Sequence, residues 1–494
     1  MMFNTLSFLI FFPLVVLIYF IIPKKIRYIW LLIASYYFYM SWVPQYGILL
    51  FVSTFITYAG GLLIDKIKSK GGRKAILIAS LLANFSMLFV FKYFGFSIDT
   101  INSVLSRINV SVIEVPFTIV LPMGISFYIF QAVGYLIDVY REKTKAQKNF
   151  FKYALFVSFF PQLVAGPIER SGNLLNQIGN IENIKVFNAK RIQDGFMIML
   201  FGYFMKMIIS DRAKIFVDMV YHEGEYSKFV GLIPIIATIL FAIQIYCDFA
   251  GYTYIAIGAA KIMGFDLMNN FNTPYLALSI TDFWSRWHIS LTNWFKDYLY
   301  IPLGGNRKGK VRKYINIFIV FLLSGLWHGA SWHFVAWGVI HGVMRIVDDL
   351  TAKLRDKIYS KLGFKEDDFG LKIYKITVTF FLVCLAWVFF RAQSVGQAVS
   401  IIKNMFKWNP WVLTDGSLLN VALDAKEMNV LIVALAILLI VDICRYRNVK
   451  LLELFAKQNW IFKGSIIIVT IMAILLFGIY GSNYNAASFI YFQF

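Results

Sequence analysis

Charge is scarce in this chain. Asp, Glu, Lys and Arg together supply 15% of its 494 residues, apolar side chains supply 59%, and the mean hydropathy is +0.67. A soluble protein of this length covers its surface with far more charge, so a soluble globular domain is excluded. Cysteine is scarcer still. Cys247, Cys384 and Cys444 stand apart inside apolar runs, with no pair at zinc or dithiol spacing, and they read as packing residues. Histidine occurs five times, and neither His-Glu-x-x-His nor Gly-x-Ser-x-Gly is present, which removes the familiar zinc-hydrolase and serine-hydrolase signatures. His328 and His333 are five residues apart, a poor helical spacing for metal ligands, so no metal centre is expected. Low-complexity segments, clear internal repeats and polar stretches long enough for a separate domain are absent as well.

What the sequence has instead is long uncharged runs. Met1 to Pro23, Tyr28 to Ile64, Ala75 to Phe91, Tyr314 to Met344 and Gly464 to Phe494 contain no Asp, Glu, Lys or Arg. A membrane-crossing helix needs about 20 such residues. Counting runs this way predicts an all-α polytopic membrane protein with about ten or eleven membrane-embedded segments, some of them re-entrant or amphipathic, around a central funnel. The whole chain, 1–494, reads as one membrane-embedded domain, with 113–347 as its catalytic core and 464–494 as the last span and an aromatic tail. The N-terminal run lacks a basic flank and a small-residue cleavage site, so it reads as the first span rather than a signal peptide.

Lys and Arg number 48 against 27 Asp and Glu, a balance of +21. These cations gather in short loops: 24–27, 66–74, 141–152, 307–313, 353–375 and 445–463. That is the positive-inside pattern of a membrane protein, with those loops cytoplasmic, and it argues against a nucleic-acid partner. By the same reasoning the run from Gly464 crosses outward, which places the last dozen residues at the outer face, and Asp415 to Glu427 is an outer loop.

Two stretches are too irregular for simple spans. Val115 to Tyr140 is interrupted by Pro122 and Gly124. Thr273 to Leu303 mixes aromatic rings with Asp282, Arg286, His288, Lys296 and Asp297. Polar backbone and charge survive at membrane depth only where protein or water covers them, so both read as walls of an internal cavity. An ionisable side chain inside an apolar run is a candidate functional group. His328, in Ser324-Gly325-Leu326-Trp327-His328-Gly329, is the strongest, and its bland alternative is a buried neutral histidine bonded to a carbonyl. His288 reads equally well as part of the same polar wall or of an interfacial aromatic belt. His333 and His341 suit packing or hydrogen bonding, and His222 lies in a polar loop. The residues alone leave three classes open: an enzyme, a transporter or flippase, and a scaffold of an export complex.

A series of motifs then narrows the choice. Leu121-Pro122-Met123-Gly124-Ile125-Ser126-Phe127-Tyr128 is followed by Ile137-Asp138-Val139-Tyr140-Arg141 and by Phe160-Pro161-Gln162-Leu163-Val164-Ala165-Gly166-Pro167-Ile168. Arg286-Trp287-His288-Ile289-Ser290-Leu291, Trp294-Phe295-Lys296-Asp297-Tyr298, Ile301-Pro302-Leu303-Gly304-Gly305-Asn306-Arg307 and Trp327-His328-Gly329 come next. In this order they resemble the membrane-bound O-acyltransferase superfamily, in its bacterial branch similar to alginate O-acetyltransferases, over nearly the whole chain. The resemblance implies transfer of an acetyl group from a cytoplasmic thioester, acetyl-CoA or another acetyl thioester, to an extracytoplasmic polysaccharide such as an alginate-like exopolysaccharide, cellulose or peptidoglycan. D-alanyl or another acyl group is the alternative cargo. It implies no tightly bound cofactor, a secreted serine-esterase-like partner of the SGNH type, and residence in the bacterial cytoplasmic membrane.

The resemblance also makes His328 the principal catalytic residue and His288 the second. A histidine suits removal of a hydroxyl proton near neutral pH, and burial favours the neutral form a base requires. Trp327, Asn293 and Asp297 are candidate substrate-binding residues. The uncharged ending Ser488-Phe489-Ile490-Tyr491-Phe492-Gln493-Phe494 is similar to a C-terminal tyrosine motif of acyl relays in this branch, which makes Tyr491 a candidate covalent acyl carrier. A membrane-interface anchor is the other reading of the same aromatics.

Overall fold

Every regular element among the described residues is helical. The computed structural model describes residues 1–115, 120–164, 166–365, 367–481 and 489–490, so Tyr491 lies outside the described residues. Seven helices are long and apolar enough to cross a membrane: Tyr46–Lys66, Lys70–Arg107, Ala189–Tyr221, Leu232–Met263, Phe369–Arg391, Ala425–Tyr446 and Trp460–Phe477. Leu6–Ile21 and Ile125–Tyr140 are shorter apolar helices. The protein is therefore an all-α, multi-pass membrane protein.

Several of the uncharged runs are broken by local chemistry. Met1 to Pro23 yields a 16-residue helix, Leu6–Ile21, because Pro23 cannot continue it. The run Tyr28 to Ile64 becomes Arg27–Met40 and Tyr46–Lys66, with Pro44 in the connection. The run Tyr314 to Met344 bends back on itself. Lys310–His328 ends at Gly329, whose φ of −161° is extended, and Trp332–Lys361 begins three residues later.

By packing, the chain divides into two units, Met1–Phe196 with Ala256–Met268, and Met197–Ile255 with Asn269–Phe494. In the first, Ile125–Tyr140 is buried along almost its whole length against Tyr46–Lys66 and Lys70–Leu88. Its start explains the Leu121–Tyr128 motif. Gly124 has φ +72° and opens the helix, accepting hydrogen bonds from Phe127 and Tyr128, and a Cβ there would stand 2.8 Å from the carbonyl oxygen of Leu163. Only glycine meets both demands. Gln131 and Gln162 both donate to the Phe156 carbonyl, which ties the Phe160–Leu163 turn to the buried helix.

The second unit is organised around the hairpin of Lys310–His328 and Trp332–Lys361. Its two helices approach through Gly325 and Gly338, where added Cβ atoms would lie 2.4 Å from the Phe334 carbonyl and 2.5 Å from the Phe321 carbonyl. The small residues in Ser324–Ser331 thus set the backbone distance on which His328 depends. Ile280–Arg286 is clamped to this hairpin: Asp348 accepts both the backbone N–H and the hydroxyl of Thr281, and its other oxygen pairs with Arg355.

Candidate active site

His328 is the last residue of Lys310–His328 and is 3% exposed. Its imidazole stands edge-on to three rings: Trp327 at 5.0 Å, Trp337 at 4.9 Å and Phe390 at 5.3 Å between centroids. Edge-to-face contacts of this kind hold a ring in one orientation. The three rings come from the two arms of the hairpin and from Phe369–Arg391, so the setting of His328 is tertiary although its motif is local.

His288 is the second residue of the two-residue break between Ile280–Arg286 and Ile289–Phe295. It is fully buried and has a left-handed backbone, φ +43° and ψ +52°. A non-glycine residue held this way costs roughly 1–3 kcal/mol and persists only where its surroundings enforce it. The enforcing residue is Asn270. Its backbone carbonyl accepts the Ile289 N–H at 2.9 Å. Its side-chain Oδ1 accepts the Ser290 N–H at 3.1 Å and the Ser290 hydroxyl at 2.9 Å, and it lies 3.1 Å from His288 Nδ1.

That arrangement settles the histidine's tautomer. A backbone N–H can only donate, so the Asn270 atom facing Ser290 is the oxygen. His288 Nδ1 must then donate its hydrogen to that oxygen, and the basic lone pair stays on Nε2. The His288 ring is further bounded by Phe249 at 4.7 Å and by Trp327 at 5.8 Å. The Trp327 indole therefore touches both candidate catalytic histidines.

The other candidates fall as follows. Trp327 is at the centre of the site. Asn293 is half-buried on Ile289–Phe295, and Asp297 is half-buried on the wide turn Lys296–Tyr300, one and two further turns along from His288. His341 Nδ1 accepts the Trp284 indole N–H at 3.3 Å, and His333 Nδ1 donates to the Phe389 carbonyl at 3.1 Å, which are packing and hydrogen-bonding roles. His222 is exposed. A cavity of about 460 Å³ lies elsewhere, lined by residues including Ser279, Asp348, Arg355, Tyr359 and Lys375 and by none of the histidines.

Sequence reasoning passed over Asn270. The signal was present, because Asn269-Asn270-Phe271-Asn272 sets three amides between a long apolar helix and an aromatic segment. Amides so placed need partners and seldom occur without a structural task.

Two buried imidazoles lined by aromatic rings, in a chain with seven helices long and apolar enough to cross a membrane, fit a membrane-embedded enzyme. Comparison with known proteins agrees. The profile of the membrane-bound O-acyltransferase family matches residues 142–391, and the chain belongs to that family. It is an O-acyltransferase. It is 33% identical to the "probable alginate O-acetylase" of Pseudomonas aeruginosa over 91% of this chain and 82% of that one. It is 34% identical to the peptidoglycan O-acetyltransferase of Helicobacter pylori over 83% and 80% of the two chains. The teichoic acid D-alanyltransferase of Bacillus subtilis is more distant, at 27% identity over 56% of this chain and 70% of its own.

Proposed function

We propose that this enzyme O-acetylates an extracytoplasmic polysaccharide, taking its acetyl group from a thioester such as acetyl-CoA on the cytoplasmic side of the bacterial inner membrane. The observation that carries the reading is the Trp327 indole set between His288 and His328, with Asn270 leaving the His288 lone pair on Nε2. Acetyl is favoured over D-alanyl because the acetyl-transferring relatives align over most of both chains at higher identity.

In the proposed reaction a hydroxyl loses its proton to a neutral imidazole, with His328 as the principal base and His288 assisting. The oxygen attacks the thioester carbonyl, the C–S bond of the tetrahedral intermediate breaks, and the proton passes to the leaving thiolate. A positioned base of this kind contributes on the order of 10²–10⁴-fold. Tyr491 is the first acceptor in this scheme. Its phenol becomes an aryl acetate, a better acyl donor than an alkyl ester, which a second hydroxyl then takes up by the same steps. A serine-esterase-like partner outside the membrane would complete transfer to the glycan. Trp327, Asn293 and Asp297 would border the acyl group.

The test is thiol release from acetyl-CoA by the purified full-length enzyme, together with acetate content of the polysaccharide in cells. His328→Ala should abolish both while the protein still inserts and migrates as wild type. Undiminished transfer by that variant would overturn the assignment of the base, and transfer from D-alanyl but not acetyl donors would replace the cargo.

A further inference from the structure

Lys206 is buried in the second unit with its ammonium 2.8 Å from Asp211 and 2.6 Å from Asp248, and all three side chains are at most 2% exposed. A buried carboxylate needs hydrogen-bond donors, and one of those serving Asp248 comes from the far end of the chain. The backbone N–H of Ile490 bonds to Asp248 Oδ2 at 2.7 Å, across 242 residues. Phe489, fully buried, packs on Tyr252 at 4.4 Å and on Phe249 at 6.2 Å, and Phe249 is the ring against His288. Lys206 lies 5.6 Å from the other contact of that ring set, the face of Tyr252.

The same stretch of helix holds the chain where it leaves the last span. Arg212 donates to the Phe477 carbonyl at 2.8 Å, and Ile479 N–H bonds to the Met207 carbonyl at 3.0 Å. These residues sit on and just after Phe204–Ser210, where the helix of Ala189–Tyr221 widens into a π turn. Such turns are uncommon and recur at functional positions. Neither half of the arrangement serves the histidines directly.

We propose that Asp248, braced by Lys206 and Asp211, is the docking seat of the C-terminal segment, and that acyl transfer through Tyr491 depends on the tail being held there. The proposal rests on the relay reading given above: Tyr491 is the residue that follows Ile490. The hydrogen bond is to a backbone N–H, so the seat recognises the tail's main chain. Phe489, filling the space beside Tyr252 and Phe249, sets which residue reaches it. Asp248 is a positioning residue, since it touches the tail and not the reacting atoms, and Lys206 and Asp211 brace it.

Hydrogen–deuterium exchange on the full-length enzyme in lipid nanodiscs tests this. The C-terminal peptide of the wild type should exchange slowly. Asp248→Ala should release it, and Ile490→Pro, which removes the donated hydrogen and leaves the buried ions untouched, should release it even if Asp248→Ala fails to fold. Ile490→Val keeps the N–H and should stay protected. Acetylation of Tyr491, read by mass spectrometry after incubation with acetyl-CoA, should fall at least about tenfold in Ile490→Pro, the scale of one lost charge-assisted hydrogen bond. A wild-type tail that exchanges as fast as a free peptide, or one still protected in Ile490→Pro, overturns the seat. A protected tail with a fully active Tyr491→Phe keeps the seat and removes the relay. An unprotected tail with an inactive Tyr491→Phe does the reverse.

Discussion

Asn270 holds His288 by its side-chain oxygen, 3.1 Å from Nδ1, while the same oxygen takes both hydrogens offered by Ser290. One carboxamide therefore fixes the backbone turn, the ring orientation and the tautomer of a candidate catalytic residue. In the enzyme's proton economy that makes Asn270 a positioning residue for His288, comparable to the partner that orients the histidine of other acid–base sites.

Asn270→Leu should lower acyl transfer about 10–100-fold, since the wrong tautomer and a freed ring are both penalised. Asn270→Asp should keep the oxygen acceptor and retain more activity than Asn270→Leu. Measured as kcat with saturating acetyl-CoA, equal losses in the two variants would show that the carboxamide acts only by packing.

His288 and His328 share the Trp327 indole, so their contributions should not be independent. The double variant His288→Ala with His328→Ala should lose little more than His328→Ala alone, because residues that act as one unit are non-additive. Losses that multiply across the double-mutant cycle would place the two imidazoles in separate steps.

Trp327 is 3% exposed and packs on both histidines. Trp327→Ala should cost about 3–5 kcal/mol of stability and abolish transfer, while Trp327→Phe should fold and retain part of the rate. Thermal unfolding in detergent separates the two effects. A Trp327→Phe enzyme that is fully folded and wholly inactive would assign the indole N–H a chemical role beyond packing.

Glu169 supplies the pH dependence. It is buried in the first unit, accepting the Met268 N–H at 2.6 Å and the Asn173 amide at 2.7 Å, and burial pushes its carboxyl up from 4.5 to about 7. The folded protein thus holds this proton where the unfolded chain has released it. The contribution to stability is full below about pH 4.5 and is lost as pH rises through about 7. At its upper bound the change is roughly 3 kcal/mol. Glu169→Gln should flatten that dependence, so that the difference in melting temperature between variant and wild type grows from pH 5 to pH 8; a constant difference would refute the protonated carboxyl.

Much of this was legible in residue order. The uncharged runs announced membrane helices, because hydropathy is a property of each segment by itself. The motif around His328 was readable because Gly325 and Gly329 stand within a few positions of the histidine, whereas the approach of Gly325 to Gly338 on the next helix was not. The number of spans was less legible. Pro23 and the Gly329–Ser331 break cut uncharged runs into shorter pieces, and an uncharged residue count does not register backbone geometry.

The sequence by itself determined that this chain lives in a membrane, that its few ionisable groups at depth are the ones to watch, and that its ordered motifs belong to an acyl-transferring family. The first two follow from local composition and spacing, and the third from the resemblance that the motifs carry. Only the tertiary structure decided that Asn270 reaches His288, that one indole joins His288 to His328, and that Asp248 receives Ile490 from 242 residues away. Such partners meet because helices pack, and packing depends on shapes summed over many side chains, so no window of neighbouring residues contains the information.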